Sequence, residues 1–233
     1  MSVQISLLFR EKHAHLKIRR YKAFAHAEKQ QIVPVTFQEF VSVGAELPVV
    51  FVKNSETGQF ESVVLLAFKA GENLMIKDGE WQGHYAPMAL RHYPLALTPD
   101  PQQSEQLLVA LVESSPMVNE FEGQALFNED GSDSDYLKAV TESMGEFFRQ
   151  TEATKSFNKL LADMDLLVSQ ALTVNIEGKP TEINGIYVIN EKKLTELSNE
   201  HFYILRQRGL LPAIYAHLMS LQQIRGLCMR KSR

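Results

Sequence analysis

Asn128-Glu129-Asp130-Gly131-Ser132-Asp133-Ser134-Asp135 divides the chain into two hydrophobic patterns. Before it, short apolar runs alternate with turn chemistry at 54–58, Ala70-Gly71, Asp78-Gly79 and 99–101. Connections this short cannot cross over to parallel neighbours, so an antiparallel meander is expected. After it, Tyr136, Leu137, Val140, Met144, Phe147 and Phe148 recur at helical spacing, as do Phe157, Leu160, Leu161, Met164, Leu167 and Val168. Two amphipathic helices, or one with a break near Thr151, fit this spacing. The acidic run itself reads as a helix-capping turn, because a calcium loop with its glycine at Gly131 would need an acid where Leu126 stands. The expected fold is α+β: an antiparallel β-rich part over 1–127 with one short helix, and a helical part over 128–233 with a second hairpin at 172–189. The two parts are expected to form one cooperative domain.

Toward the N-terminus, Val35-Thr36-Phe37-Gln38-Glu39-Phe40 carries a capping box and a hydrophobic staple, so a short helix should start at Phe37. Pro48 follows it, and 49–52 reads as a buried strand. Asp78-Gly79 before Trp81 is the clearest hairpin signal. Toward the C-terminus, the turn Glu177-Gly178-Lys179 joins the strands of the second hairpin. Asn190 and Asn199 read as helix N-caps, Gly209 as a C-cap, and 211–227 as a closing helix with Pro212 in its first turn.

With 233 residues, 45% of them hydrophobic and 22% charged, the composition is that of an ordinary globular protein. A chain of this length buries roughly 70–75% of its unfolded surface without a disulfide or metal staple. Cys228 is the one cysteine, so no intrachain disulfide can form and a reducing, cytoplasmic compartment is expected. No apolar stretch of signal-peptide length opens the chain. No uninterrupted apolar run is longer than that at 63–68, where a membrane span needs about 20 such residues.

The net charge of −4 is unevenly placed. Residues 1–34 hold seven Lys/Arg against two acids, 113–177 thirteen acids against four bases, and 201–233 six bases and no acid. The basic ends suit docking on the acidic middle or on an acidic partner. Nucleic acid is not expected, since Leu16-Lys17-Ile18-Arg19 alternates like a half-buried strand.

Residues 81–94 concentrate the only tryptophan, Trp81, with His84, Tyr85, Arg91, His92 and Tyr93. Such a set can stack on and hydrogen-bond a ligand, Arg91 offering a planar fork to a carboxylate or phosphate. The competing reading makes Trp81 and Tyr93 core anchors, Pro87 and Pro94 turn-setters, and Arg91 the partner of a sheet-end carboxylate. His13-x-His15 would face one way on a strand, and His84 or His92 could meet Glu46 or Glu80. No recognised motif unites three ligands, so neither metal nor cofactor is expected.

Nucleophile-elbow, phosphate-loop, dinucleotide and His-Glu-x-x-His motifs are all missing. Asp163 and Asp165, two apart on an expected helix, diverge by about 200°. His217 and Ser220 share one face of the closing helix within bonding reach. No Asp or Glu follows Glu200 to orient them as a nucleophile pair, so helix packing is the favoured reading.

A set of longer strings runs through the chain in order. They are Val33-Pro34-Val35-Thr36 with Glu39-Phe40, Leu47-Pro48-Val49-Val50-Phe51, Gly71 with Asn73-Leu74, Trp81 with Tyr85-Ala86-Pro87, and Arg91-His92-Tyr93-Pro94. Leu126-Phe127 before Asp130-Gly131, Gly185-Ile186-Tyr187-Val188-Ile189 before Lys193-Leu194, and Ile214-Tyr215-Ala216-His217-Leu218 with Ser220-Leu221 complete it. Together they resemble the bacterial SapC family over nearly the whole chain. The resemblance implies an accessory, surface-layer-associated protein whose relatives are encoded beside cupin-like oxygenases, tryptophan-halogenase-like flavoproteins and outer-membrane receptors. A peptide-transporter permease of the same name needs several membrane spans and is excluded. The chain departs from the family pattern at His92, where a second arginine is common, and at Leu95, where Phe is preferred.

Two functions are therefore expected to compete. One is a non-catalytic accessory protein that engages a peptide or a partner, such as an oxygenase- or halogenase-like enzyme, through residues 81–94. The other is a small-molecule-modifying enzyme or enzyme subunit using His84, His92 or His217 in a pocket beside Trp81.

Overall fold

The computed structural model describes residues 5–100, 107–176 and 179–232. At its centre is a five-stranded antiparallel sheet in the order Leu167–Ile176, Lys179–Ile189, Val49–Lys53, Phe60–Leu65, Ile32–Pro34. Val49, Val50, Phe51 and Val64 are wholly buried, which is why these strands read as continuous β-branched and aromatic runs instead of alternating. Strand Lys179–Ile189 pairs with Val49–Lys53 at Ile186–Val52 and Tyr187–Phe51. Residues from both sides of the acidic stretch thus complete one sheet, with Phe40, Phe51 and Phe157 meeting in its core.

The strands are antiparallel as expected, and among the described residues they are distributed over four sheets. Ile5–Leu7 joins Leu107–Val112 and Leu95–Pro99; Lys17–Ile18 lies between Val118–Asn119 and Gln124–Ala125; Ile76–Lys77 pairs with Glu80–Trp81. The last pair is the hairpin expected at Asp78-Gly79, whose φ angles are +54° and +81°. At the second hairpin, Glu177 and Gly178 of the expected turn lie outside the described residues, as does Pro101 of the turn at 99–101.

A single helix, Asp135–Asp163, replaces the two expected or the one broken near Thr151. Thr151 and Thr154 donate their hydroxyls to the carbonyls of Phe147 and Gln150, one turn back, and the chain is helical through both. Ser134 caps it by accepting from Leu137 N–H. Asn190 caps the helix Glu191–Thr195 as expected, but for Asn199–Gln207 the cap is Ser198 and Asn199 is the first helical residue. The closing helix is likewise two, Leu211–Ser220 and Gln223–Lys231. Ser220 bonds back to the His217 carbonyl at 2.6 Å, competing with helix continuation at that point. Asp165 lies beyond the long helix and pairs with Lys193. Among the described residues no helix is long and apolar enough to cross a membrane.

The basic N-terminal segment docks on the acidic middle: Lys12 and His13 on Glu113, Arg19 on Glu122, and Arg10 on the Asp130 carbonyl. His13 ends the short helix Arg10–His13 and is buried, whereas His15 is exposed, so the two do not face one way on a strand. The C-terminal Lys231 pairs instead with Glu72, outside the acidic middle.

Candidate binding site

The expected capping box at Thr36 forms, and its acid does more than close a helix turn. Glu39 is 2% exposed, and its carboxylate accepts four hydrogen bonds. Oε2 takes the Thr36 N–H at 3.0 Å and the Thr36 hydroxyl at 3.1 Å; Oε1 takes the Tyr85 hydroxyl at 3.0 Å and the Met88 N–H at 2.8 Å. A buried charge is tolerable when its lone pairs are filled in this way. Glu39 therefore pins the segment carrying Tyr85 and Met88 to the helix start 46 residues earlier. Burial first, and the Glu39 charge second, push the Tyr85 hydroxyl up to about 12, against the opposing pull of Arg91; it remains a protonated donor.

Around that anchor, Trp81, Gly83, His84, Tyr85, Ala86 and Arg91 line one open concavity of about 440 Å³ with Arg20, Phe24 and Glu80. Trp81 donates its ring N–H to the Tyr85 carbonyl at 3.1 Å and leans on Phe24, ring centres 5.8 Å apart. The Arg91 guanidinium lies 4.3 Å over the Tyr85 ring while its Nε–H bonds the Ala86 carbonyl. Glu46 accepts the His84 N–H at 2.9 Å and contacts His84 Nδ1 at 3.0 Å, yet the His84 side chain is 99% exposed. Gly83 permits this, since a Cβ there would meet Glu46 Oε2 at 2.5 Å and Trp81 Nε1 at 2.8 Å. Among the described residues no carboxylate forms an ion pair with Arg20 or Arg91, so the expected sheet-end partner for Arg91 is not there.

The other two residues expected at this site point elsewhere. His92 contacts Ser143 Oγ at 2.9 Å and Phe147 on the long helix, and burial, then the Arg91 charge, pushes its pKa down. Tyr93 stacks on His26 with ring centres 4.0 Å apart, and Pro94 and Pro87 are buried at the ends of the short helix Met88–Arg91 and its following turn.

Of the motif residues further away, Asn73 ties two loops, donating to Ala27 O and accepting from Met75 N–H, both at 2.9 Å. Pro34 sits on the edge strand of the central sheet, where its missing N–H costs nothing. Pro48 offers its carbonyl to Leu65 N–H at 3.0 Å.

His217 and Ser220 are completely buried where the pairing between Val49–Lys53 and Lys179–Ile189 runs out. There His217 Nε2 accepts the Ile189 N–H at 3.1 Å, and Ser220 Oγ accepts the Val49 N–H at 3.0 Å. Two side chains of the closing helix thus satisfy backbone donors that the ladder leaves over. Their own link runs from the Ser220 hydroxyl to the His217 carbonyl, not to its ring. Burial drives the His217 pKa down to about 4, opposed by a backbone interaction with Val49. Tyr215, in the same motif, is exposed on the opposite side of that helix turn.

Among the described residues, no three of His, Cys, Asp and Glu are grouped to hold a metal ion. His84 and Glu46 meet as a pair, and His92 joins neither Glu46 nor Glu80. Sequence reasoning missed Glu39 as the anchor and Arg20 as a lining residue. Glu39 announces itself only as a capping acid, and nothing in the spacing links Arg20 to Trp81, 61 residues later. Comparison with curated proteins and with solved structures returned no match. The model of the SapC family matches residues 8–227, nearly the whole chain, so the chain belongs to the SapC family.

Proposed function

We propose that this chain is a non-catalytic accessory protein and that the concavity of Trp81, Tyr85 and Arg91, with Arg20 and His84, receives a peptide segment or loop of a partner protein. One observation carries this reading: an arginine already braced on Tyr85 and Ala86 O, and in no ion pair with a carboxylate among the described residues, stands beside the only tryptophan in an open concavity. Preorganised aromatic and guanidinium groups are the usual energetic anchors of protein recognition. The partner kind implied by family gene neighbours is an oxygenase- or halogenase-like enzyme. A cytoplasmic location belongs to the same proposal, and the lone thiol of Cys228 supports it.

The enzyme reading has less support. Its three histidines occupy three separate environments: His84 at the surface, His92 against the long helix and His217 inside the core. Capture from a lysate by wild type, Trp81→Ala and Arg91→Ala tests the proposal. A specific partner held by wild type and lost from both variants is expected. Capture unaffected by either substitution overturns it.

A further inference from the structure

We infer that the concavity at Trp81 takes the loop Glu120-Phe121-Glu122 of a second copy of this chain, an inference that rests on the reading of that concavity as a binding site. Phe121 is 87% exposed, the most exposed large apolar side chain among the described residues. It is nevertheless held in place. Asn119 Oδ1 accepts the N–H groups of Phe121 and Glu122 at 2.9 and 2.8 Å, and Asn119 Nδ2 donates to Glu122 O at 2.9 Å. Lys17 reaches the Phe121 carbonyl at 3.4 Å, and Arg19 pairs with Glu122 at 2.6 Å. Gly123, at φ +110°, lies so close to the Ile18 carbonyl that a Cβ would sit 2.3 Å from its oxygen. A loop ordered in advance pays little entropy on binding, and an aromatic side chain presented by it is of the type enriched in interface cores.

The chemistry of the loop complements the concavity. An aromatic ring flanked by Glu120 and Glu122, with side chains 60% and 66% exposed and resting against His15 and Arg19, meets Trp81 and Tyr85 flanked by the guanidiniums of Arg20 and Arg91, which outnumber the one lining carboxylate, Glu80. Phe121 cannot be filling the concavity of its own chain, since it is nearly bare to solvent. Strand Lys17–Ile18, which the loop's two strands flank, leads within two residues to Arg20. Loop and concavity therefore lie side by side, and a two-fold pair makes the contact twice.

Sedimentation velocity of the full chain over a concentration series tests this. A monomer–dimer equilibrium is expected, weakened at least about tenfold by Phe121→Ala and by Arg91→Ala. Phe121 is exposed, so its removal leaves the fold intact. Mixing the two variants should recover part of the association, because a mixed pair keeps one complete contact. A peptide of residues 117–125, which has no tryptophan, should shift the emission of Trp81 and dissociate the dimer. A dimer unaffected by Phe121→Ala overturns the inference. A chain that stays monomeric while Trp81 responds to the peptide overturns the second copy but keeps the concavity as a binding site. A monomer blind to the peptide, with no partner captured through Trp81, overturns both.

Discussion

The seam at His217 and the concavity at Trp81 are built from the same residue types, histidine and hydroxyl groups beside aromatic rings. They differ in what the polar atoms meet. At the seam His217 Nε2 and Ser220 Oγ each accept a backbone N–H of the chain itself, and His217, whose ring lies 5.1 Å from Phe51 and whose Nδ1 is buried without a partner, has no exposed surface. At the concavity the internal bonds stop short of the rim: Glu39 and Ala86 O brace Tyr85 and Arg91 from below, and the outward faces of Arg20, His84 and Arg91 are left to solvent. The destination of the polar atoms thus separates a region closed on itself from one left open to solvent.

That contrast can be broken by substitution. His217→Ala removes a packed ring and strands the Ile189 N–H, so a loss of about 3–4 kcal/mol is expected in urea unfolding. Acid should attack the same place. His217 is held near pKa 4 when folded and titrates around 6.5 when unfolded, so between those values the unfolded chain binds the extra proton. Stability is then full above pH 6.5 and falls by about 2–3 kcal/mol as pH drops toward 4. His26 and His92, also pushed down by burial, add to that window. Glu113, lowered to about 2 by its bonds to Lys12, Ser6 and His13, adds a later loss as pH falls from about 4.5 toward 2. Urea midpoints at pH 7, 5 and 3 resolve the two.

Glu39→Gln sits between the regions. An amide can replace one acceptor oxygen but faces the donors at the other with its own N–H groups, so about 2 kcal/mol should be lost. Tyr85 should loosen with it, which lowers partner capture as well as the unfolding midpoint. Arg91→Ala sharpens the contrast from the other side. Its expected cost in stability is within about 1 kcal/mol, the scale of an exposed cation–π contact, while partner capture is lost.

The fold was legible where the signal is local. The capping box at Thr36 and Glu39, the Asp78-Gly79 turn and the Asn190 cap each depend on residues within four positions, and each forms. What stayed hidden is non-local. Hydroxyl back-bonding is tolerated within the helix at Thr151, where it reaches four residues back, and accompanies the break after Ser220, where it reaches three and the same oxygen accepts the Val49 N–H. Four of the six residues expected at the site share the concavity, because the Asp78-Gly79 hairpin and the Glu39 anchor fold that segment on itself. His92 and Tyr93 leave it because they follow the short helix Met88–Arg91, whose turn sends them toward Ser143 and His26.

Trp81 is the chain's one tryptophan, so 5-fluorotryptophan incorporation gives a single fluorine resonance at the concavity. The account predicts that this resonance moves when the captured partner is added, and does not move when Arg91→Ala is titrated with the same partner. A partner that binds the wild-type chain while the resonance stays in place would contradict it.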